Sequence, residues 1–336
     1  MKNVFSHLRV SSEYSITQGL LTINQIVDSA VKHSIPSVAL TDRSNMFGLV
    51  KFFNKCEASG IKPISGSSIR VIFDDDEQSH ELLCLAKTNI GHKNLMRIIS
   101  SAHNNYSYQS PIINFNDLAK LKDDIIVVSG GKDSHIFDLL KRNKLEDAEK
   151  KIDSFLKVFD DDFILEVQKT NRPDEFEYFS NILPIATTKG IPLIATNDVL
   201  FAKPDDFDTH ETKVCINTGK TLNDPNREKI FSQEQFFKSS DDMAKLFKGF
   251  DSLLENTNEI SKKCNVSIHT KQYFLPEYPV PEEHNFDSFL VDLSKKRLQE
   301  FINDFNDEKN KIYTDRLEYE LNQIKTMGFS SYFLIV

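Results

Sequence analysis

From the N-terminus to about residue 200, short β-rich apolar runs alternate with amphipathic helical stretches, and that alternation restricts the chain to the α/β class. The candidate strands are Val4–Val10, Ser37–Thr41, Lys62–Phe73, Leu82–Lys87, Ile125–Ser129, Phe163–Gln168 and Leu193–Asn197. Between the first two, Thr22-Ile-Asn-Gln25 makes a capping box ahead of Ile23, Ile26, Val27, Ala30 and Val31, whose spacing marks one helical face. Two strands share a local pattern: Ile35-Pro-Ser-Val-Ala39 leads to Asp42, and Ile191-Pro-Leu-Ile-Ala195 leads to Asp198. In parallel strands of a barrel both carboxylates would emerge at the C-terminal ends, where α/β barrels build their sites. The alternative is a strand-end acid that caps the next turn. Two acids in matching positions favour one pocket.

Beyond about residue 203 the spacing becomes helical, with helices expected over Asp205–Lys220, Ser240–Phe247, Phe250–Asn265 and Phe286–Phe305. The stretch Phe274-Leu-Pro-Glu-Tyr-Pro-Val-Pro281 interrupts the periodicity and divides a domain over residues 1–270 from a segment over 271–336. In that segment Thr314 reads as a helix cap, with Leu317, Leu321 and Ile324 on one face, Lys325 in the last turn and Gly328 at the C′ position. Tyr332 to Val336 then reads as the start of another buried element. Natural termini are usually polar and frayed, so this ending implies a piece of a larger protein.

A formal net charge of −9 over 336 residues argues against this segment being a main duplex-gripping surface, which needs clustered Lys and Arg. The acidic runs Asp74-Asp-Asp-Glu77 and Asp160-Asp-Asp162 read as solvated loops. Cys56, Cys84, Cys215 and Cys264 lack zinc or redox spacing and read as reduced, buried thiols. Neither a signal peptide nor a membrane-length apolar run is present, which implies a cytoplasmic location and no membrane partner.

Phe5-Ser-His-Leu-Arg-Val-Ser-Ser-Glu-Tyr-Ser15, Ser37-Val-Ala-Leu-Thr-Asp-Arg-Ser-Asn-Met-Phe-Gly-Leu-Val-Lys-Phe52, Gly60-Ile-Lys-Pro-Ile-Ser-Gly66, Leu85-Ala-Lys-Thr-Asn-Ile-Gly-His-Lys-Asn-Leu95, Ala195-Thr-Asn-Asp-Val199, Phe207-Asp-Thr-His-Glu211 and Tyr273-Phe-Leu-Pro276 occur in one order. With the C-terminal segment, they give the whole chain a resemblance to the α subunits of bacterial replicative DNA polymerase III, the C-family polymerases. The resemblance implies a polymerase-and-histidinol-phosphatase (PHP) domain, a distorted (β/α)7 barrel, followed by helical segments and a truncated start of the polymerase palm.

Complete PHP domains hold a metal cluster with converging imidazoles and carboxylates and hydrolyse phosphoesters. The resemblance places Arg9-Val-Ser11 where such members have His-x-His, and Gln18 where they have an acid or imidazole. Arg43 stands for the histidine after Thr-Asp, Ser68 for a glutamate, Gly131 or Lys132 for a cysteine or histidine, and Asp198-Val-Leu200 for the final Asp-x-His. The ligand opening the third strand falls at His80 or Glu81. A degenerate pocket of Arg9, Ser11, Gln18, Asp42, Arg43, Ser68, Glu81, Asp198 and Leu200 follows, without metal or catalytic residue in this chain. Arg9 and Arg43 are expected where metals sat, each paired with Asp42, Asp198 or Glu81, since a guanidinium satisfies a buried carboxylate through two parallel hydrogen bonds.

Other clusters have plainer readings. Asp205-Asp-Phe-Asp-Thr-His-Glu211 resembles a metal string, but it begins an expected helix, whose positive end suits acids. His7 reads as a satisfied strand-end histidine and Gly130-Gly131 as a tight turn. No phosphate-loop, nucleophile-elbow or His-Glu-x-x-His motif occurs. The resemblance thus implies a non-catalytic scaffold that docks the proofreading 3′–5′ exonuclease subunit. It belongs to a parent that extends primed DNA with Mg, through domains absent here, among other replicase subunits. The alternatives are a metal-dependent PHP phosphoesterase or an intrinsic 3′–5′ proofreading nuclease.

Overall fold

The computed structural model describes residues 5–74, 76–104, 110–269 and 278–336, in two compact units, Met1–Ile268 and His269–Val336. The Tyr273–Pro276 block and the first half of the proline-rich boundary lie outside the described residues.

The first unit is a seven-stranded mixed sheet wrapped by helices. Its strands are β1 (Ser37–Leu40), β2 (Lys62–Ile72), β3 (Ser79–Ala86), β4 (Ile112–Asn114), β5 (Ile125–Val128), β6 (Phe163–Gln168) and β7 (Leu193–Thr196), ordered β1-β2-β3-β5-β6-β7 with β4 beside β2. β1 with β2, β5 with β6 and β6 with β7 are parallel, whereas β3 runs antiparallel to both β2 and β5. Residues 7–10, expected as part of a strand, form no ladder. They bridge both ends of the sheet instead, His7 pairing with Val38 of β1 and Val10 with Val199 just past β7. Hydrogen bonds Ala39 N to His7 O (2.8 Å) and Ser11 N to Val199 O (2.9 Å) close the distorted barrel through this segment.

Side-chain alternation along each strand sorts residues into an inward and an outward set. Inward, Ala39, Ile64, Leu83, Leu85, Ile126, Val128, Ile164 and Ile194 meet Leu8, and helix α10 (Asp251–Lys263) adds Ile260 and its C-cap Cys264. Outward, Ile69, Val71, Leu82, Cys84, Val127, Leu165, Val167 and Ala195 meet the surrounding helices. The helices are α1 (Ile23–Lys32), α2 (Leu49–Ala58), α3 (Asn89–Asn104), α4 (Phe115–Lys120), α5 (His135–Lys141), α6 (Leu145–Phe159), α7 (Glu175–Lys189), α8 (Phe207–Thr218) and α9 (Ser240–Leu246); α3 to α7 and α9 cover that outward face, while α1 and α2 pack on Val38 and Leu40 of β1 in a cluster of their own. The Thr22–Gln25 capping box of α1 is present, and Ile23, Ile26, Val27 and Ala30 are buried, but Val31 turns out to solvent. Gly130 and Gly131 both have positive φ, and a Cβ on Gly130 would strike the Glu81 carbonyl, so this pair makes a tight turn against β3.

His7 is fully enclosed between Phe5 and Phe237, with Nε2 2.8 Å from the Lys238 carbonyl, and burial pushes its pKa down to about 4. All four cysteines are buried and unpaired, and burial pushes Cys56, Cys84 and Cys264 up to about 12. Among the described residues no helix is long and apolar enough to cross a membrane.

The second unit comprises α11 (Phe286–Ile302), α12 (Asp307–Thr326) and α13 (Ser330–Ile335), packed around Leu290, Leu321 and Leu334. Thr314 does not cap: it lies inside α12, its hydroxyl donating to Asn310 O at 2.9 Å, while Asn306 accepts from Lys309 N at 3.0 Å as the true cap. An asparagine in extended conformation two residues after an unread turn supplies a better start than a mid-helix threonine. The expected buried run over Tyr332–Val336 buries only Leu334, with Tyr332, Phe333, Ile335 and Val336 exposed, because α13 turns a single face to α11 and α12.

Two outcomes follow. Ending the chain at residue 275 is expected to leave the thermal midpoint of the first unit unchanged within about 2 °C, checked by calorimetry, since each kcal/mol lost would shift a domain of this size by roughly 2–4 °C. For His7, the unfolded chain binds a proton near pH 6.5 that the folded chain refuses until about pH 4, so stability falls as pH drops through that window. Urea titrations from pH 7 to pH 4 are expected to show up to about 3 kcal/mol lost on this account, and His7→Gln to flatten that slope.

Candidate functional site

At the mouth of the barrel a charged layer stands on the inward apolar layer, by the same period-two register. Glu81 sits two residues before inward Leu83 on β3, Glu166 two after inward Ile164 on β6, and Thr196 two after inward Ile194 on β7. Glu166 is fully buried, and Arg9 grips it through Nε–Oε1 at 2.8 Å and Nη2–Oε2 at 2.9 Å. Arg9 Nη1 also donates to Glu81 Oε1. Thr196 Oγ1 and Gln168 Nε2 complete the donor set around Glu166 Oε1.

The network continues without a break. Gln168 Oε1 accepts from Arg172 Nη2, which belongs to a guanidinium that also binds Asp198 Oδ2 at 3.0 Å and Glu175 Oε1 at 3.1 Å. Gln235 Nε2 donates to the same Asp198 oxygen at 2.8 Å. Burial opposes ionisation of Asp198, but Arg172, Arg9 and Arg43 outweigh it and hold the carboxyl below the usual range. Asp198 adopts positive φ, a conformation aspartate tolerates better than most residues.

The sequence-derived residues divide into three groups. Gln18, Arg43, Ser68 and Glu81 line one cleft of about 490 Å³. Arg9 and Asp198 belong to the buried network beside it. Ser11, Asp42 and Leu200 stand apart: the Ser11 amide bonds Val199, and Leu200 is a buried apolar residue whose carbonyl accepts from Leu20 N at 2.8 Å.

Arg9 and Arg43 both meet Glu81, one of the three acids expected, whereas the other two acids find other partners. Asp42 meets no arginine. It accepts from Ser12 N, Ser12 Oγ and Ser15 Oγ, each at 2.7 Å, and so pins the 11–15 loop onto the end of β1, while burial pushes its pKa up against those serines. Asp198 pairs with Arg172 rather than with Arg9 or Arg43. Arg43 meets Glu81 at 3.2 Å and Asp133 at 3.6 Å, but its side chain is 31% exposed. The choice between His80 and Glu81 falls to Glu81, because His80 faces the outward core opposite Val71. Glu166 and Arg172 escaped the sequence reading, although a lone glutamate in the apolar run Phe163-Ile-Leu-Glu-Val-Gln168 marks a buried charge in search of a partner.

The metal cluster of complete PHP domains does not fit this layer. Its carboxylates are bound by three guanidinium groups, and none of them joins a three-donor group with His or Cys among the described residues. The one such group, Asp76, His80 and His135, lies on the other side of the sheet, so Asp76 is not the solvated loop acid expected. The Asp205–Glu211 string does not converge either: His210 packs among Phe201, Phe207 and Phe231, and Glu211 pairs with Arg227.

Arg9→Ala is expected to destabilise the first unit by about 3–5 kcal/mol, because it strands Glu166 and Glu81 in the interior. Arg43→Ala, with its partly exposed pairs, is expected to cost about 1 kcal/mol or less. Urea unfolding of the two variants side by side checks this, and equal losses would contradict a layer built on Arg9.

Comparison with known proteins agrees with this architecture. Residues 7–170 match the PHP domain family, and residues 288–336 match the family described as bacterial DNA polymerase III alpha NTPase domain. The DNA polymerase III subunit alpha of Escherichia coli (strain K12) is 38% identical over 343 residues, 99% of this chain and 29% of its own length. Those of Pseudomonas fluorescens and Vibrio cholerae are 36% and 35% identical over 99% of this chain, so the chain spans about 29% of the length of the relatives it matches. A solved amidohydrolase from Chromobacterium violaceum is 12% identical with a TM-score of 0.44, over 63% of this chain and 96% of its own. With two family models matched in order and identity sustained from end to end, the chain belongs to the family of bacterial DNA polymerase III α subunits.

Proposed function

We propose that this chain is the N-terminal PHP region and first palm segment of a DNA polymerase III α subunit, and that its barrel is a non-catalytic scaffold. The observation that carries the reading is the guanidinium-filled mouth: Arg9, Arg43 and Arg172 stand among Glu81, Glu166 and Asp198. Carboxylates bound this way are engaged as hydrogen-bond acceptors and are not free to bind a divalent ion or to act as a general base. In the parent, DNA-templated synthesis with Mg and the grip on primed DNA belong to other domains, in the cytoplasm and among other replicase subunits. The scaffold's own partner is the proofreading 3′–5′ exonuclease subunit.

Titrating residues 1–275 with the cognate exonuclease is expected to give a direct complex, and no association at tens of micromolar between two folded proteins would count against docking. The same protein is expected to lack phosphatase activity on an aryl phosphate. Activity that disappears in Asp198→Asn would favour a live phosphoesterase instead.

A further inference from the structure

The outward face of the sheet carries a polar group that the barrel mouth does not use. Asp76 lies in the turn between β2 and β3, His80 near the start of β3, and His135 opens α5. His80 Nε2 is 2.7 Å and His135 Nε2 3.5 Å from the same oxygen, Asp76 Oδ2. The two imidazoles stack with centroids 4.3 Å apart and planes within 9°. One donor atom from each of the three residues lies within 4.8 Å of the others. Three donors held at ~2.0–2.1 Å by one tetrahedral ion stand roughly 3.3–3.5 Å apart, so the side chains have to close in and the stacked rings to turn toward one another to seat one.

We propose that Asp76, His80 and His135 form a binding site for a divalent transition metal of the Zn²⁺ class, with the remaining position open to water. Two imidazoles and one carboxylate suit such an ion, and hard cations such as Mg²⁺ prefer an all-oxygen set. The surroundings hold the donors in place. Gln78 N donates to Asp76 Oδ1 at 3.0 Å, which fixes the carboxylate and leaves Oδ2 facing the imidazoles. Both rings rest against Phe73, His135 at 5.1 Å and His80 at 6.3 Å between centroids.

Access is open, because Asp76 and His135 line a surface cleft of about 660 Å³. Of the cations lining the cleft, Arg142 pairs with Asp138 at 3.0 Å and Lys150 with Asp147 at 3.8 Å, while Lys151 sits over the far part of the site, 4.2 Å from the centroid of the Phe73 ring. The site is separate from the barrel mouth, since His80 and Glu81 are neighbours on β3 that face opposite sides of the sheet. A bound ion would tie the β2–β3 turn to α5, and by binding only the folded state it would raise the melting temperature.

The test is calorimetric titration of the untagged full chain with Zn²⁺ after chelator removal, repeated on Asp76→Asn, His135→Gln and Asp198→Asn. The proposal expects one equivalent bound, an affinity lowered about tenfold or more in each of the first two variants, and no change in the third. Oxidation of the wild-type chain by Cu²⁺ and ascorbate, mapped by mass spectrometry, gives a reading that needs no variant. His80 and His135 are expected to be the modified residues, with excess Zn²⁺ protecting them. Absence of binding at hundreds of micromolar Zn²⁺, binding that survives both Asp76→Asn and His135→Gln, or oxidation mapping elsewhere overturns the proposal.

Discussion

The two parallel hydrogen bonds from Arg9 to Glu166 hold the mouth of the barrel together. Glu166 rises from the inward face of β6 directly above the apolar layer, where an uncompensated carboxylate would cost several kcal/mol. Arg9 comes from the extended segment that bridges β1 to the exit of β7, so the same residue that neutralises Glu166 belongs to the strip that closes the sheet. Closure and charge compensation are therefore one event. A planar fork with five donors can serve Glu166 and Glu81 together, which a lysine at this position could not do.

Arg172 repeats the device on the other side of the pocket, and Gln168 joins the two halves by donating to Glu166 and accepting from Arg172. The consequence is cooperative. Restoring one metal ligand, for instance histidine at Arg43, would leave Arg9 and Arg172 still bound to the carboxylates an ion would need, so single substitutions do not convert this layer into a metal cluster.

Much of the fold was legible because the two periodicities are clean. Alternation placed six of the seven expected strands, and the acids at the ends of β1 and β7 were correctly seen to leave at the strands' C-terminal ends. The first expected strand was misjudged because residues 7–10 look strand-like but have one neighbour on each side for only a residue or two, which yields bridges rather than a ladder. At the site, sequence reasoning found Arg9, Arg43 and their shared partner Glu81 but missed Glu166 and Arg172. It looked for acids at motif positions, whereas Glu166 and Arg172 are set by register and by loop geometry after β6, neither of which a linear motif encodes. The Asp76, His80 and His135 group was missed for a related reason: His135 joins only when α5 packs on the hairpin, 55 positions further along the chain than His80.

β3 shows how tightly one register binds these features together. Leu83 and Leu85 face the barrel interior and Leu82 and Cys84 the outer helices, so Glu81 must point inward to Arg9 and His80 outward to Asp76 and His135. A one-residue slip would exchange every pair at once, placing His80 in the charged mouth and Glu81 against Phe73. The ladder from Gly66–Leu85 to Ile72–Ser79 along β2, and the pairing of Leu83 to Ala86 with β5, hold that register from both sides. The ambiguity between His80 and Glu81 in the sequence is thus resolved by the hydrophobic pattern of the strand that carries them, and the same pattern keeps two polar sites of different chemistry apart across a single layer of backbone.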